Sequence, residues 1–429
     1  MTRPSMTQTS MTQTTQVTRA AAARLILVLG GLAAVTPLTI DMYLPAMPQI
    51  ADRLDTGSSQ VQLTLTAFFV GLAIGQLVAG PLSDAFGRRR PLLVGLVAYV
   101  VISAGCALAP SIWGLTGLRL LQALGVATVL VLSRAILRDL FSGDELARKF
   151  SLLMLVTGLA PILAPVIGAQ LLLFTDWRGI FLTFSVFGLL LLVTVALALP
   201  ETLPPDRRRP ASVAATLRIS GRLLTDRMFV GYTLAASLAF AAMFAYIAGS
   251  TFVLQDHFGL SPQEFSLVFG GNAVGIMVMA QVNGRFVGRV SSRRMLAVGL
   301  TITAVGDLLV LAAAIGGLGL AGVLPPLFIA VSAIGLVLPN GTALALADHP
   351  EVAGTASALY GVVQFLAGGL AAPLVGIGGE ASTVSMAVVM AGCGVLSLVT
   401  FTALTGSRTR RSVSAPEPAP EPTPELPPF

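Results

Sequence analysis

Three ionisable side chains lie well inside long apolar stretches of this chain: Asp41, Arg119 and Asp307. A charge near the centre of a bilayer costs roughly 2.5–3.5 kcal/mol on insertion scales, so such side chains are functional candidates by default. Asp41 precedes the end of the first stretch, and Arg119 follows the start of the fourth, each by about seven residues; at a rise of about 1.5 Å per residue both sit on the order of 10 Å below the same surface. Equal depth lets them meet. Burial and a neighbouring cation act in opposite directions on a carboxyl's affinity for its proton. An acid held between the two can exchange a proton when a helix or a bound molecule moves. Asp41 and Arg119 are therefore read as the pair that couples protons to substrate, against the plainer alternatives of a static packing pair or an acid already open to the outside. Pro45 offers no N–H to the Asp41 carbonyl, leaving a second polar group free at this point. Asp307 lies deep in the ninth stretch, where pairing with a neighbouring helix or burial in neutral form explains it as well as function does.

The elements that must position these residues are apolar runs. Only 11% of the 429 residues are charged and 55% are hydrophobic, too polar-poor a composition for the surface of a soluble domain. Twelve runs approach the roughly 20 residues a hydrocarbon core requires: 24–46, 63–83, 91–109, 112–135, 150–173, 178–199, 228–252, 264–284, 294–315, 321–346, 354–376 and 383–404. They are continuous rather than alternating, which predicts helices and not a β-barrel. With the amino terminus inside, 23 of the 26 basic residues fall on one side, while Arg53 and Arg178 fall on the other. Lys/Arg bias sets orientation, so the expectation is a multi-pass membrane protein with both termini cytoplasmic; one Lys against 25 Arg points to a bacterial source, and so to the inner membrane. The net charge of +6 then reflects topology and contact with anionic lipid, not nucleic-acid binding. Residues 1–21 and 406–429 read as disordered tails. The first run is too long for a signal-peptide core and lacks a small-residue cleavage site, so it is expected to stay. Cys106 and Cys393 lie within runs as small core residues, with neither a disulfide framework nor a metal site indicated.

The linker 201–227 divides the runs six and six, giving halves at 22–200 and 228–405. Parallel six-helix repeats are typical of one class of transporters. The loop after the second run reads GPLSDAFGRRRP and the loop after the eighth reads NGRFVGRVSSRRM. Aligning their Arg-Arg pairs puts Gly284 at Gly80 and Gly288 at Asp84, so the second copy has lost the acid. In the first copy Gly80 can allow close helix approach, Asp84 ends a helix at the membrane surface, Gly87 permits a tight turn, and Arg88, Arg89 and Arg90 anchor to headgroups.

This loop resembles the signature between helices 2 and 3 of the major facilitator superfamily. The resemblance implies an all-α fold of twelve transmembrane helices in two pseudo-symmetric halves. It also implies that Asp84 latches the halves on the cytoplasmic side, with Arg134 or Arg138 as helix-4 partner. Helix 9 is usually peripheral in that fold, which argues against a central role for Asp307. Further segments are similar to the Bcr/CflA drug-resistance transporters: Asp41-Met-Tyr-Leu-Pro-Ala-Met-Pro48, Arg119-Leu-Leu-Gln-Ala-Leu-Gly125, the fifth run with Gly158, Pro161, Pro165 and Gly168, Asp176-Trp-Arg-Gly-Ile-Phe181, LPETLP, Pro339-Asn340 and AGTASAL at 353–359. Where that family usually has Gly, this chain has Ala123 after Gln122. Its fifth run shows Ala164-Pro165 and Gly168-Ala169 in place of Gly-Pro and Gly-Gly.

The resemblance implies a proton-coupled exporter of bicyclomycin- and chloramphenicol-type drugs that works by alternating access. A pocket between the halves near midplane would draw on Tyr43, Gln122, Met154, Tyr246, Phe252, Asn272, Asn340 and Gln364, where aromatic and Met surfaces adapt and amides direct. The plain alternative for each is helix packing. No enzyme is indicated: His257 and His349 fall on opposite sides, and no G-x-x-x-x-G-K-[ST] pattern is present for direct ATP drive. The expected partners are a small amphipathic drug or metabolite, protons and the bilayer; the expected state is a monomer with no cofactor. An exporter of a native metabolite, and a non-transporting receptor or assembly factor of this fold, stand as alternatives.

Overall fold

The computed structural model describes residues 19–141, 143–208, 213–376 and 382–406. Among the described residues, twelve helices are long and apolar enough to cross a membrane: α1 Arg19–Asp41, α2 Ser58–Phe86, α3 Arg89–Ala107, α4 Ile112–Leu140, α5 Gly143–Leu171, α6 Trp177–Ala198, α7 Arg227–Phe252, α8 Pro262–Phe286, α9 Ser292–Ile315, α10 Gly319–Ser332 continuing as Ile334–Leu346, α11 Ala353–Gly376 and α12 Thr383–Thr405. A separate linker helix spans Val213–Leu223. The expected tails fall outside the described residues, except that residues 19–21 already belong to α1 and Gly406 caps α12.

Several helices outrun the apolar runs that announce them. α2 starts at Ser58 because Gly57 takes an extended backbone and Gln60 turns back to accept its N–H, so polar residues supply the first turn. Side-chain caps set other starts: Ser111 accepts from Gly114, Asp176 from Arg178, and Ser261 and Glu264 form a reciprocal box. Each cap satisfies backbone donors that a helix start leaves orphaned. α1 stops short instead. The run predicts helix to residue 46, but the ladder ends at Asp41. The chain then turns through Leu44–Ala46 in 3-10 form and resumes as a short helix, Met47–Arg53. Pro45 and Pro48 lack the N–H groups that would continue it.

The packing repeats with a period of six helices. α2 lies on α4 as α8 lies on α10, α3 on α6 as α9 on α12, and α1 on α5 as α7 on α11. The seam between halves obeys the same rule, since α2 meets α11 and α5 meets α8. The result is a pseudo-two-fold pair of six-helix bundles with α7 buried along almost its whole length. The ends of the helices that carry Arg88, Arg89, Arg138, Arg285 and Arg294 form one basic face of the bundle.

Candidate functional site

The break after α1 is where the halves converge. α5, α7 and α8 all touch the Leu44–Ala46 turn. A Cβ on Gly168 would collide with the Met42 carbonyl, so α5 reaches the break only because residue 168 has no side chain. Asp41, the last residue of α1, is buried. It makes no hydrogen bond or ion pair among the described residues. Its carboxyl instead acts electrostatically on the hydroxyl of Tyr246 across the seam. That hydroxyl accepts a 2.8 Å hydrogen bond from the Asn272 amide. An acid at the end of α1 thus lies within electrostatic reach of a phenol of α7 that is itself bonded to an amide of α8.

Arg119 does not join this cluster, which corrects the expected pairing with Asp41. The guanidinium is fully buried inside the amino-terminal half. Its two Nη groups donate to the Thr39 carbonyl at 3.3 Å, and Nη1 also donates to Gln122 Oε1 at 2.7 Å. Its carbon lies 4.3 Å from the Phe68 ring centre and 4.8 Å from that of Tyr43. The reason is local: the Thr39 carbonyl lies where the α1 ladder is ending, and it reaches the cation before the Asp41 side chain can. Cation–π contact and amide oxygens take the place of a carboxylate. Tyr43 and Gln122 belong to the same cage. Tyr43 Oη bonds Thr64 Oγ1 and Gln122 donates to Ser103 Oγ, so both lie within the first half and not at the seam.

Away from the basic face the seam is closed by hydrogen bonds to helix carbonyls. On one side Ser59 donates to Gly376 at 2.9 Å, Gln62 to Ala248 at 3.3 Å and Thr66 to Gly369 at 2.8 Å. On the other, Gln263 donates to Ala169 and Ser266 to Pro165. Phe252 lines a small cavity at this closed end with Gln62 and Gly376, well removed from midplane. At middle depth Phe69 crosses the seam, edge-on to Phe244 at 4.4 Å and stacked on Phe365 at 5.9 Å, with Phe240 completing the group. Gln364, next to Phe365, is half-buried. Towards the basic face the α5 side of the seam opens. Gly158 faces open space and Met154, one turn earlier, is 47% exposed. Pro161 lies between this open stretch and the closed one, where Pro165 supplies one of the accepting carbonyls.

The loop between α2 and α3 is organised by acids that the sequence reading left aside. Gly87 adopts φ +87°, and the Glu201 carboxylate occupies the space a Cβ would take. Glu201 accepts from the backbone N–H of Arg88 at 2.7 Å and of Arg89 at 3.2 Å. Burial pushes its pKa up, but these donors, the Leu203 N–H and the Arg208 charge outweigh that and hold it below the ordinary glutamate value. Arg88 bridges Asp84 and, at 2.9 Å, Asp139 on α4. Desolvation lowers its pKa, yet the two carboxylates leave it raised. The expected bond from Asp84 to Arg134 or Arg138 is absent among the described residues: both arginines are exposed, and α4 contributes an acid instead. Arg89 ties to the Ala196 carbonyl of α6. Gly80 has open space where a Cβ would lie, so it mediates no close approach in this arrangement.

Asn340 also departs from the expected pocket. It donates to Asn283 Oδ1 at 2.6 Å and to the Leu336 carbonyl, joining α10 to α8. Asp307 is buried against Gly394 of α12, far from the seam, with Oδ2 unpartnered among the described residues. Of the expected pocket residues, Tyr246 and Asn272 bond each other, within electrostatic reach of Asp41. The seam phenylalanines were missed because aromatic residues in apolar runs carry no distinguishing signal. Glu201 lies within LPETLP, and its placement between two prolines at a helix end is the feature that marks it.

The family model described as Major Facilitator Superfamily matches residues 29–373 and again 234–426. The chain belongs to the Major Facilitator Superfamily. It is 42% identical over 386 residues to the uncharacterized MFS-type transporter YdgK of Bacillus subtilis (strain 168), covering 90% of this chain and 96% of that one. It is 34% identical to a bicyclomycin resistance protein homolog of Haemophilus influenzae, covering 90% and 97%. A chloramphenicol resistance protein of Pseudomonas aeruginosa is likewise 34% identical, over 79% and 80%. Among solved structures it resembles the nucleoside transporter NupG, with TM-score 0.74 and 11% identity over 90% and 99% of the two chains. It also resembles a bacterial homolog of the lysosomal transporter Spinster in an inward-facing, occupied conformation, with TM-score 0.69 and 16% identity over 90% and 96%. At those identities the likeness is one of fold. This is a multi-pass bacterial membrane protein with the fold of transporters.

Proposed function

We propose that this chain exports small amphipathic drugs of the bicyclomycin and chloramphenicol type in exchange for protons, as a monomer in the bacterial inner membrane with both termini cytoplasmic and no cofactor. The observation that carries the reading is Asp41: a buried acid with no cationic partner among the described residues, held at a helix break on the seam, within electrostatic reach of Tyr246 of the other half. With the basic face cytoplasmic, the open stretch at Met154 and Gly158 makes this an inward-facing arrangement. A drug entering from the cytoplasm meets Asp41 and the seam phenylalanines together. Hydrogen-bond donors of the drug favour the charged carboxylate, and the carboxyl releases its proton inwards. Rocking of the halves then exposes the drug outside, where a proton replaces it and neutralises the acid for the return. A ligand shifts such an equilibrium only through its different affinity for the two states, and a site shared by proton and drug supplies that difference. The relatives named as resistance proteins support the choice of cargo.

The test is accumulation of labelled chloramphenicol in cells stripped of their own efflux pumps, comparing wild type, Asp41→Asn and empty vector with and without a protonophore. Low accumulation in wild type alone, lost with protonophore, is expected. Equal accumulation in all three at normal expression would remove this drug as cargo and favour export of a native metabolite.

A further inference from the structure

The linker between the halves carries a surface that transport itself does not use. One face of the linker helix is buried: Ser220 and Leu223 are covered, and Leu223 and Ile219 pack with Phe229 of α7, Tyr360 of α11 and Phe401 of α12. These partners lie in the first turns of α7 and α11 and the last turns of α12, so the helix rests at the level of the membrane boundary, not free in solution. It touches both α2 and α11, one helix from each half. At about 100° per residue, Leu217, Gly221 and Leu224 fall together on a second face beside the buried one. The two leucines are 56% and 54% exposed. Arg218 and Arg222 form a third face, exposed and without an ion pair among the described residues.

We propose that this helix is a docking site for anionic phospholipid of the cytoplasmic leaflet. Leu217 and Leu224 enter the acyl boundary, while Arg218 and Arg222 hold the phosphates. The order of faces around the helix is that of an interfacial anchor: protein, then leucine, then arginine. A free helix in water would not keep two leucines uncovered beside a completed packing face, and a protein partner would not be sought at the bilayer edge by a doubly basic stripe. The charge of the inner leaflet is complementary, and each surface arginine contributes about 1 kcal/mol to such attraction, or about fivefold in affinity. Because the helix rests on α2 and α11 together, lipid bound here bears on how readily the halves separate. The inference rests on the basic face being cytoplasmic; it does not require the drug assignment to be correct.

The experiment uses the full chain in nanodiscs, with Cys106→Ser and Cys393→Ser as background and single cysteines introduced as Leu217→Cys, Leu224→Cys or Arg222→Cys, each labelled with an environment-sensitive fluorophore. Labels at 217 and 224 should be quenched by lipids brominated on the acyl chain, and the label at 222 by iodide in solution. Replacing phosphatidylethanolamine in part by phosphatidylglycerol should raise the lipid quenching at 217. Combined Arg218→Gln and Arg222→Gln should lower the apparent affinity for phosphatidylglycerol by about tenfold or more. Iodide quenching at 217 and 224 in both lipid mixtures, or a phosphatidylglycerol response unchanged by the Gln pair, would overturn the proposal. Neither readout depends on drug, so a failure of the export reading leaves this test intact.

Discussion

At the scale of single residues, the two buried charges of the amino-terminal half have separate tasks. Arg119 holds the end of α1 in place from inside the half, through a planar fork that meets one carbonyl and one amide at once. Lysine cannot reproduce that fork or its stacking. Arg119→Lys should therefore lower the melting temperature of purified protein by several degrees, as well as slowing export; unchanged thermal unfolding would show that the cage is not structural. Asp226 permits a prediction about pH. It caps α7 by accepting from Met228 and Phe229, and it meets His349 Nε2 at 2.9 Å. Desolvation raises its pKa, but the two N–H groups and His349 outweigh this and leave it depressed. A depressed folded-state value means that the stabilisation is complete above the unfolded value of about 3.9 and is lost as pH falls through the folded one. Thermal unfolding of Asp226→Asn, compared with wild type between about pH 6 and 3, should show a smaller loss of stability on acidification. Parallel curves would exclude the residue as a source.

At the scale of elements, the break in α1 and the turn at Gly87 both depend on absent side chains. Gly168→Leu should push α5 away from the Met42 carbonyl, and transport should fall by more than tenfold while the protein still reaches the membrane; normal transport would mean that this approach is not needed. Gly87→Ala combines a disfavoured φ with collision against Glu201. It should cost roughly 1–2 kcal/mol or more, read as a lower unfolding temperature. Much of this level was legible beforehand. Continuous apolar runs gave the twelve helices, and the Arg-rich loops gave the basic face. The turn at Gly87 followed from its place between Asp84 and Arg88. Partner choice was not legible. Equal depth brought Asp41 and Arg119 within range on paper, but depth says nothing of azimuth around the helix, and a carbonyl at a helix end intercepted the cation. Likewise, a loop rich in arginine does not reveal that its acids arrive from α4 and from the end of α6.

At the scale of the whole molecule, the seam determines what can move. Its closed end rests on a few side-chain donors meeting carbonyls and on one aromatic cluster, contacts that can part without unfolding either half. A Cβ at Gly376 would lie 2.8 Å from that of Ser59, close enough for Ser59→Cys and Gly376→Cys to form a disulfide after slight relaxation. Oxidation should stop transport and reduction should restore it. Full transport by the oxidised form would show that this end of the seam need not open. The six-helix period was legible only as a faint echo between two loops. In the folded chain it is explicit in the way α2–α11 and α5–α8 exchange places, because packing preserves a symmetry that sequence has largely lost.

The Glu201 latch also bears on how the protein is made. Every contact that fixes the Gly87 turn, from Asp84 through Asp139 to the Glu201 carboxylate, comes from residues preceding 209. At a synthesis rate of about 5–20 residues per second, more than ten seconds pass between the emergence of Glu201 and completion of the chain. In that interval the first half can lock its own loop at the membrane surface, so that the second half assembles on a finished surface and not on a moving one.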